Sequence, residues 1–240
     1  EGPSRWETAL TVEQGAAVRT DPRAQGPLQK LQMGHPLCPD QSLRPTGFHY
    51  KPEFLTAKEQ QQLMLEIDSR SWDQDLTRRT QQYGFKYNYF DVGAGEKLYP
   101  LPVAIPPFLE FVVERLVETG TVPQRPNQLI INDYQPGQGI NAHFDDDCFE
   151  EAICTISLLS PATMTLINWK DARLPRKHCL LHTLQPLSLF CQTADTRYSW
   201  KHAVGSTAQD FDTRTGNCFS RQRRVSLTFR SVKVGKNRAK

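Results

Sequence analysis

Two residues in the stretch NAHFDDD (141–147), His143 and Asp145, stand two positions apart. In an extended strand, positions i and i+2 project from one face. The imidazole and the carboxylate would therefore sit side by side, with Phe144 turned into the opposite layer. Such a pair is two-thirds of a 2-His-1-carboxylate facial triad, which leaves open coordination positions on an octahedral Fe(II). The third ligand must be a histidine distant in the chain: His178, His182 or His202. His202 is the best placed, in TRYSWKHAV shortly before the last strand, with an aromatic and a basic residue at its side. His178 and His182 flank CLL in an apolar run and would share a face at their spacing of four. Asp146 should point away from His143. Asp147 is either a substrate contact or, more plainly, an ordinary loop carboxylate.

Two further pairs share the same even spacing. Asn132 and Tyr134, in NDYQPGQG just upstream, put an amide and a phenol on one face, and Pro136 and Gly137 supply the turn that follows. Arg224 and Arg230 bracket VSLTF, so an extended strand sends both guanidiniums to the same side. Two arginines directed into a core need anions. A dicarboxylic acid would satisfy them, since guanidinium pairs with carboxylate through two parallel hydrogen bonds.

The elements that must position these groups fall into two textures. GFHYKPEFLTAKEQQQLMLEIDS places Thr56 and Glu59 at capping-box spacing, ahead of a helix carrying Leu63, Leu65 and Ile67. RRTQQYGFKYNYF nearly alternates, with Phe85, Tyr87 and Tyr89 in step, and predicts a strand or hairpin. A second helix fits PPFLEFVVERLVETG, with prolines at its start and Gly120 at its end. From Asn127 onward, short β-rich runs follow one another: QLIINDY, GINAHFD, EAICTISLLS, ATMTLINW, KHCLLHTL, PLSLFCQ and RVSLTFRSVKV. This is a mainly β chain with flanking helices, a sandwich or barrel. The expected organisation is a flexible N-terminal arm over 1–46, a supporting region with helices over 47–126, a β core over 127–233, and a basic tail over 234–240.

At 240 residues the chain can bury a sizeable core without staples. A net charge of +3 does not by itself announce nucleic-acid binding. The basic clusters RQRR (221–224) and KVGKNRAK (233–240) suit phosphates, but read more plainly as solvated faces. No apolar run approaches the roughly 20 residues of a membrane span, and the N-terminus lacks the basic-then-apolar layout of a secretory leader. The chain begins at Glu1, so an organellar leader stays open. Cys38, Cys148, Cys154, Cys179, Cys191 and Cys218 show no C-x-x-C pair or regular framework, which favours a reducing compartment, cytoplasmic or nuclear.

In order along the chain, N-x-Y-x-P-G, H-x-D, a distant His and R-x-x-x-x-x-R resemble the AlkB family of Fe(II)- and 2-oxoglutarate-dependent dioxygenases, over roughly residues 47 to 233. The resemblance implies a double-stranded β-helix, or jelly roll. It implies His143, Asp145 and His202 as iron ligands, and Asn132, Tyr134, Arg224, Ser226 and Arg230 around 2-oxoglutarate. Ser226 stands where relatives often carry Asn. Dioxygen is the further cosubstrate. RRTQQYGFKYNY resembles the family's nucleotide-recognition lid, with Arg78 and Arg79 for phosphates and Tyr83 or Tyr87 for stacking on a base; tyrosines that simply cover the sheet are the alternative. INDYQPGQGINAHFD, RYSWKH and RVSLTFR look most like the branch that hydroxylates the tRNA wobble uridine. Oxidative demethylation of RNA or DNA fits the same motifs. A nucleic-acid substrate, RNA ahead of DNA, is therefore expected. The rival readings are a protein-directed oxygenase and a non-catalytic jelly-roll binding module.

Overall fold

The computed structural model describes residues 44–88 and 97–233. The arm up to residue 43 with Cys38, the aromatic position Tyr89 and the tail from 234 lie outside the described residues. In chain order the elements are β1 (Phe48–Lys51), α1 (Ala57–Asp68), β2 (Arg79–Tyr83), β3 (Phe85–Tyr87), β4 (Leu98–Pro100), a 3-10 turn (Pro107–Leu109) running into α2 (Glu110–Glu118), β5 (Gln128–Tyr134), β6 (Ile140–His143), β7 (Ile153–Leu158), β8 (Ala162–Asn168), β9 (Cys179–Leu184), β10 (Leu189–Gln192), α3 (Ala194–Tyr198), β11 (Trp200–Val204), β12 (Gln209–Phe211), β13 (Cys218–Ser220) and β14 (Arg224–Arg230).

Two antiparallel sheets face each other as a jelly roll. The larger has the order β1-β10-β7-β14-β5-β2, the smaller β6-β11-β8-β9. Alternation along the large sheet divides its labour. One face carries Leu129, Ile131, Cys154, Ile156, Val225, Leu227 and Phe229, which pack with Leu63, Ile67, Val112 and Leu116 of the two helices. Each such aliphatic side chain, fully buried, contributes about 1.5–3 kcal/mol. The other face carries Asn132, Tyr134, Arg224, Ser226, Thr228 and Arg230, directly paired across β5 and β14 or within one column. It looks toward the small sheet, whose Met164, Leu166, Leu180, Trp200 and Val204 form a second core with Phe190 of β10.

The sequence RRTQQYGFKYNYF is two strands in two sheets rather than one hairpin. β2 pairs with β5, while β3 pairs with β4. Gly84 breaks them with a φ of +76°, and a Cβ there would collide with the Asn127 carbonyl. The cluster RQRR is not a solvated face. Arg221 and Arg224 are buried, and Arg223 bridges Asp68 and the fully buried Asp133.

The capping box forms as spaced: Glu59 N–H donates to Thr56 Oγ1, and Thr56 N–H donates to the Glu59 carboxylate. Arg115 of α2 also donates to Glu59 and to the Phe54 carbonyl, tying the two helices together. The Arg115 hydrogen bond lowers the Glu59 carboxyl from 4.5 to about 2, against the opposing effect of burial. A depressed carboxyl contributes stability above its unfolded value and loses it as pH falls through the folded one. Glu59→Gln is therefore expected to cost about 1 kcal/mol at neutral pH. In denaturant titrations the gap to wild type should close between pH 4.5 and about 2. A gap constant down to the lower limit contradicts this tie.

Candidate metal centre and its anion pocket

β6 and β11 are antiparallel neighbours with His143 directly opposite His202, and their ring centroids are 4.2 Å apart. Two residues further along β11, Val204 pairs with Ile140, three residues back along β6. This extra residue is a β-bulge, and it re-aims the strand so that Ile140 and His143 both face the inner layer. Gly139, just before the bulge, has no room for a Cβ against the Val204 carbonyl. β6 ends at His143, so Asp145 sits beyond regular strand geometry. Its carboxylate still returns to the histidines: one ligand atom from each of His143, Asp145 and His202 lies within 4.8 Å of the others.

The protonation states suit a metal. His143 Nδ1 lies 2.7 Å from the Asn141 carbonyl. A carbonyl only accepts, so Nδ1 carries the proton and Nε2 keeps its lone pair. Burial lowers the basicity of both imidazoles; that of His202 falls to about 3, its neighbour His143 adding to the effect. Burial alone would raise the Asp145 carboxyl, but Arg230 first, then the histidines and Arg197, hold it well below the usual range. Arg230 donates to Asp145 Oδ1 at 2.6 Å, and Gln192 Nε2 donates to Oδ2 at 2.6 Å. Arg197, 1% exposed, donates to the backbone carbonyls of Asp145 and Asp146. Two neutral imidazoles and one ionised carboxylate, open on one side, form a donor set that fits Fe(II).

A cavity of about 650 Å³ opens from this cluster. On its large-sheet wall Arg224, 2% exposed, donates to Ser157 Oγ at 2.8 Å, while its Nε has no partner. Burial pushes its guanidinium down to about 10, still a cation at neutral pH. Among the described residues no carboxylate is in ion-pair reach of Arg224. The Tyr134 ring lies under Arg224 at 5.4 Å and under Arg78 at 5.7 Å. Arg78 Nε donates to Asn132 Oδ1, and Ser226 lines the same wall. A buried cation with an unused donor fits a carboxylate ligand.

The two arginines thus share a face, and of the two only Arg230 meets a carboxylate among the described residues. Six residues of strand put their Cα atoms about 20 Å apart. Arg230 is already engaged by Asp145.

The remaining sequence candidates separate. Tyr87 lines the cavity, and its hydroxyl donates to Asp146 Oδ2 at 3.0 Å. Asp146 does not point away, as the strand rule suggests, because β6 has already ended. It meets Tyr87, Lys97 and the Cys148 amide, which hold its carboxyl at about 2 against burial. Asp147 is exposed and absent from the cavity lining. Arg79 turns to the helix side to pair with Asp133, and Tyr83 is in the helix-side core, donating to Gln81. His182 is packed between Phe48 and Tyr50, and burial lowers it to about 4. His178 lies against Trp200. Gln192 and Arg197 carry no periodic signal. Gln192 ends an apolar strand, and Arg197 acts through main-chain carbonyls, which no side-chain motif reports.

A jelly roll with two histidines and a carboxylate at one end, and an unpaired buried arginine deeper in the cavity, defines an oxygenase that takes iron and a carboxylate cosubstrate. The chain belongs to the 2OG-Fe(II) oxygenase superfamily, whose family model matches residues 47–230. It is AlkB-like, and an oxidoreductase using Fe(II), 2-oxoglutarate and O2. It is 31% identical over 187 residues to an uncharacterised protein of Acanthamoeba polyphaga mimivirus, covering 78% of this chain and 85% of the viral one. It is 31% identical over 180 residues to the mouse tRNA (carboxymethyluridine(34)-5-O)-methyltransferase ALKBH8, covering 70% of this chain but only 25% of that protein. Among solved structures, OsALKBH1 superposes with a TM-score of 0.54 at 16% identity, covering 79% of this chain and 99% of the other. A Burkholderia pseudomallei 2OG-Fe(II) oxygenase gives 0.53 at 13%, covering 82% and 90%. These two likenesses establish the fold.

Divalent metal should stabilise the folded protein by mass action. Redox-inert Mn(II) is expected to raise the melting temperature of wild type and to leave Asp145→Asn unmoved. An equal upward shift in both proteins contradicts the assignment of the cluster.

Proposed function

We propose that the chain hydroxylates a base, or an alkyl group on a base, in single-stranded nucleic acid, with RNA the favoured substrate. His143, Asp145 and His202 hold the iron. When bound, iron and 2-oxoglutarate supply one chemistry: 2-oxoglutarate, O2 and R–H become succinate, CO2 and R–OH. Arg224 anchors the distal carboxylate of 2-oxoglutarate, with Ser226, Asn132 and Tyr134 around it. Arg230 and Gln192 fix the Asp145 carboxylate and keep it ionised, and Arg197 sets the loop that carries it. On an N-methyl group the hydroxylated product releases formaldehyde; on other carbons the alcohol persists.

The observation that carries the nucleic-acid reading is the reach of the cavity. It extends from the triad past Phe144 to Leu76, Thr77, Arg78 and Tyr87 of the lid, in a volume suited to a ligand larger than 2-oxoglutarate alone. A base must leave its stack to enter such a pocket, which favours single strands. The names of relatives point the same way: the tRNA enzyme of mouse, and a DNA N6-methyl adenine demethylase of Caenorhabditis elegans, 25% identical over 179 residues. Arg78 is buried beside Tyr134, so it shapes the pocket wall rather than meeting phosphates in bulk solvent. The tRNA-modifying relative of mouse supports a cytoplasmic or nuclear location. No helix among the described residues is long and apolar enough to cross a membrane.

Nucleoside mass spectrometry after incubation with Fe(II), 2-oxoglutarate, total RNA and alkylated single-stranded DNA tests the reading. The expected result is a nucleoside that gains one oxygen or loses a methyl group, with matching succinate. Succinate formed only with protein extract, and unaltered nucleosides, would sink it in favour of a protein-directed oxygenase.

A further inference from the structure

On the outer side of the small sheet, beside the cavity mouth, three cations and two aromatic rings alternate. Arg176 Cζ lies 4.5 Å from the Trp169 ring centroid, and Lys201 Nζ lies 4.1 Å from the same centroid. Lys201 Nζ is also 5.7 Å from the Phe144 centroid, and Lys170 Nζ is 5.1 Å from it. The order is therefore Arg176, Trp169, Lys201, Phe144, Lys170. None of the three cations is in an ion pair among the described residues, although Arg173 in the same loop is bound by Asp171 and Asp195.

The support beneath is rigid. Asn168, buried at the end of β8, donates from Nδ2 to the carbonyls of Asp171, Leu174 and Pro175, fixing the loop that carries Arg176. Trp169 and Lys170 N–H groups both donate to the Ser199 carbonyl. Lys201 precedes His202 on β11, so strand alternation turns Lys201 outward while His202 faces the cavity. Phe144 stands between His143 and Asp145 and also lines the cavity. The ladder thus begins at the triad and runs outward from it.

Three like charges gathered without a carboxylate repel one another unless an anion joins them. The rings attract each cation and hold two flexible lysine stems in place, lowering the ordering cost of binding. We propose that this ladder is a phosphate track for the single strand whose base enters the cavity, contacting backbone on the Phe144 side of the mouth. The inference rests on the nucleic-acid reading above and adds to it a surface that sets where the strand runs. Continuity with the cavity through Phe144 favours a nucleic acid over an acidic polypeptide.

Fluorescence anisotropy of a labelled single-stranded oligoribonucleotide across a salt series tests the track. The triple variant Lys170→Gln/Arg176→Gln/Lys201→Gln should bind about tenfold more weakly, with its log–log salt slope reduced by about 2, as three lost phosphate contacts on a single strand require. Trp169→Ala removes no charge and should still weaken binding several-fold by releasing Arg176 and Lys201. Neutralising Lys51, Lys58 and Lys233 together should leave binding within twofold of wild type. A ladder variant with the wild-type affinity and slope, while wild type binds RNA, overturns the track alone. Wild type that binds no single strand at low salt overturns the nucleic-acid reading as well. Stronger competition by polyglutamate than by unlabelled RNA overturns the choice of occupant.

Discussion

The structure turns on one buried charge. Asp145 is 7% exposed and ionised, and taking a carboxylate out of water costs several kcal/mol before any partner repays it. Repayment comes from elements remote in sequence: Arg230 at the end of β14, Gln192 at the end of β10, and Arg197 in α3 through the loop backbone. The large-sheet register brings these ends together, while the pairing of β6 with β11 in the small sheet opposes His143 and His202. A shift of one residue in β14 would turn Arg230 toward the helices and leave Asp145 uncompensated. Metal-binding competence and correct sheet pairing are therefore one condition.

The second consequence is a division of anions along β14. Its inner face begins with Arg224 and ends with Arg230, and of the two only Arg230 meets a carboxylate among the described residues. Arg230 is paired within the protein. Arg224 is buried with an unused Nε and stands ready for a carboxylate from outside. Tyr134, placed under both Arg78 and Arg224, offers its ring to two cations.

Much of this was legible in the sequence. The run QLIINDY became β5 at the bounds expected, and RVSLTFRSVKV became β14 over its first seven residues, because both strands are buried on two faces and tolerate no slip. Thr56 and Glu59 announced α1 by chemistry local to the helix end. His202 separated from His178 and His182 on context alone. What failed did so where local rules end. The bulge between Ile140 and His143 is set by pairing with β11, and beyond it Asp146 obeys loop geometry rather than the pleat. Arg79 and Tyr83 belong to a strand whose partner, β5, decides which face is outside; the aromatic alternation alone could not say. For Arg230 the sequence shows an arginine directed into a core, and the structure adds that Asp145 reaches it.

The assignment of the two arginines is the claim on which the rest stands, and anaerobic titration tests it directly. Wild type with Fe(II) and 2-oxoglutarate should develop a weak visible charge-transfer band. Arg224→Met should bind Fe(II) as wild type does, yet need about 10–100-fold more 2-oxoglutarate to saturate that band, the loss of one charge-assisted contact. Arg230→Met should lose Fe(II) affinity itself, because Asp145 is left buried without its counter-ion. The contradictory result is an Arg230→Met protein that keeps wild-type Fe(II) affinity and loses only 2-oxoglutarate.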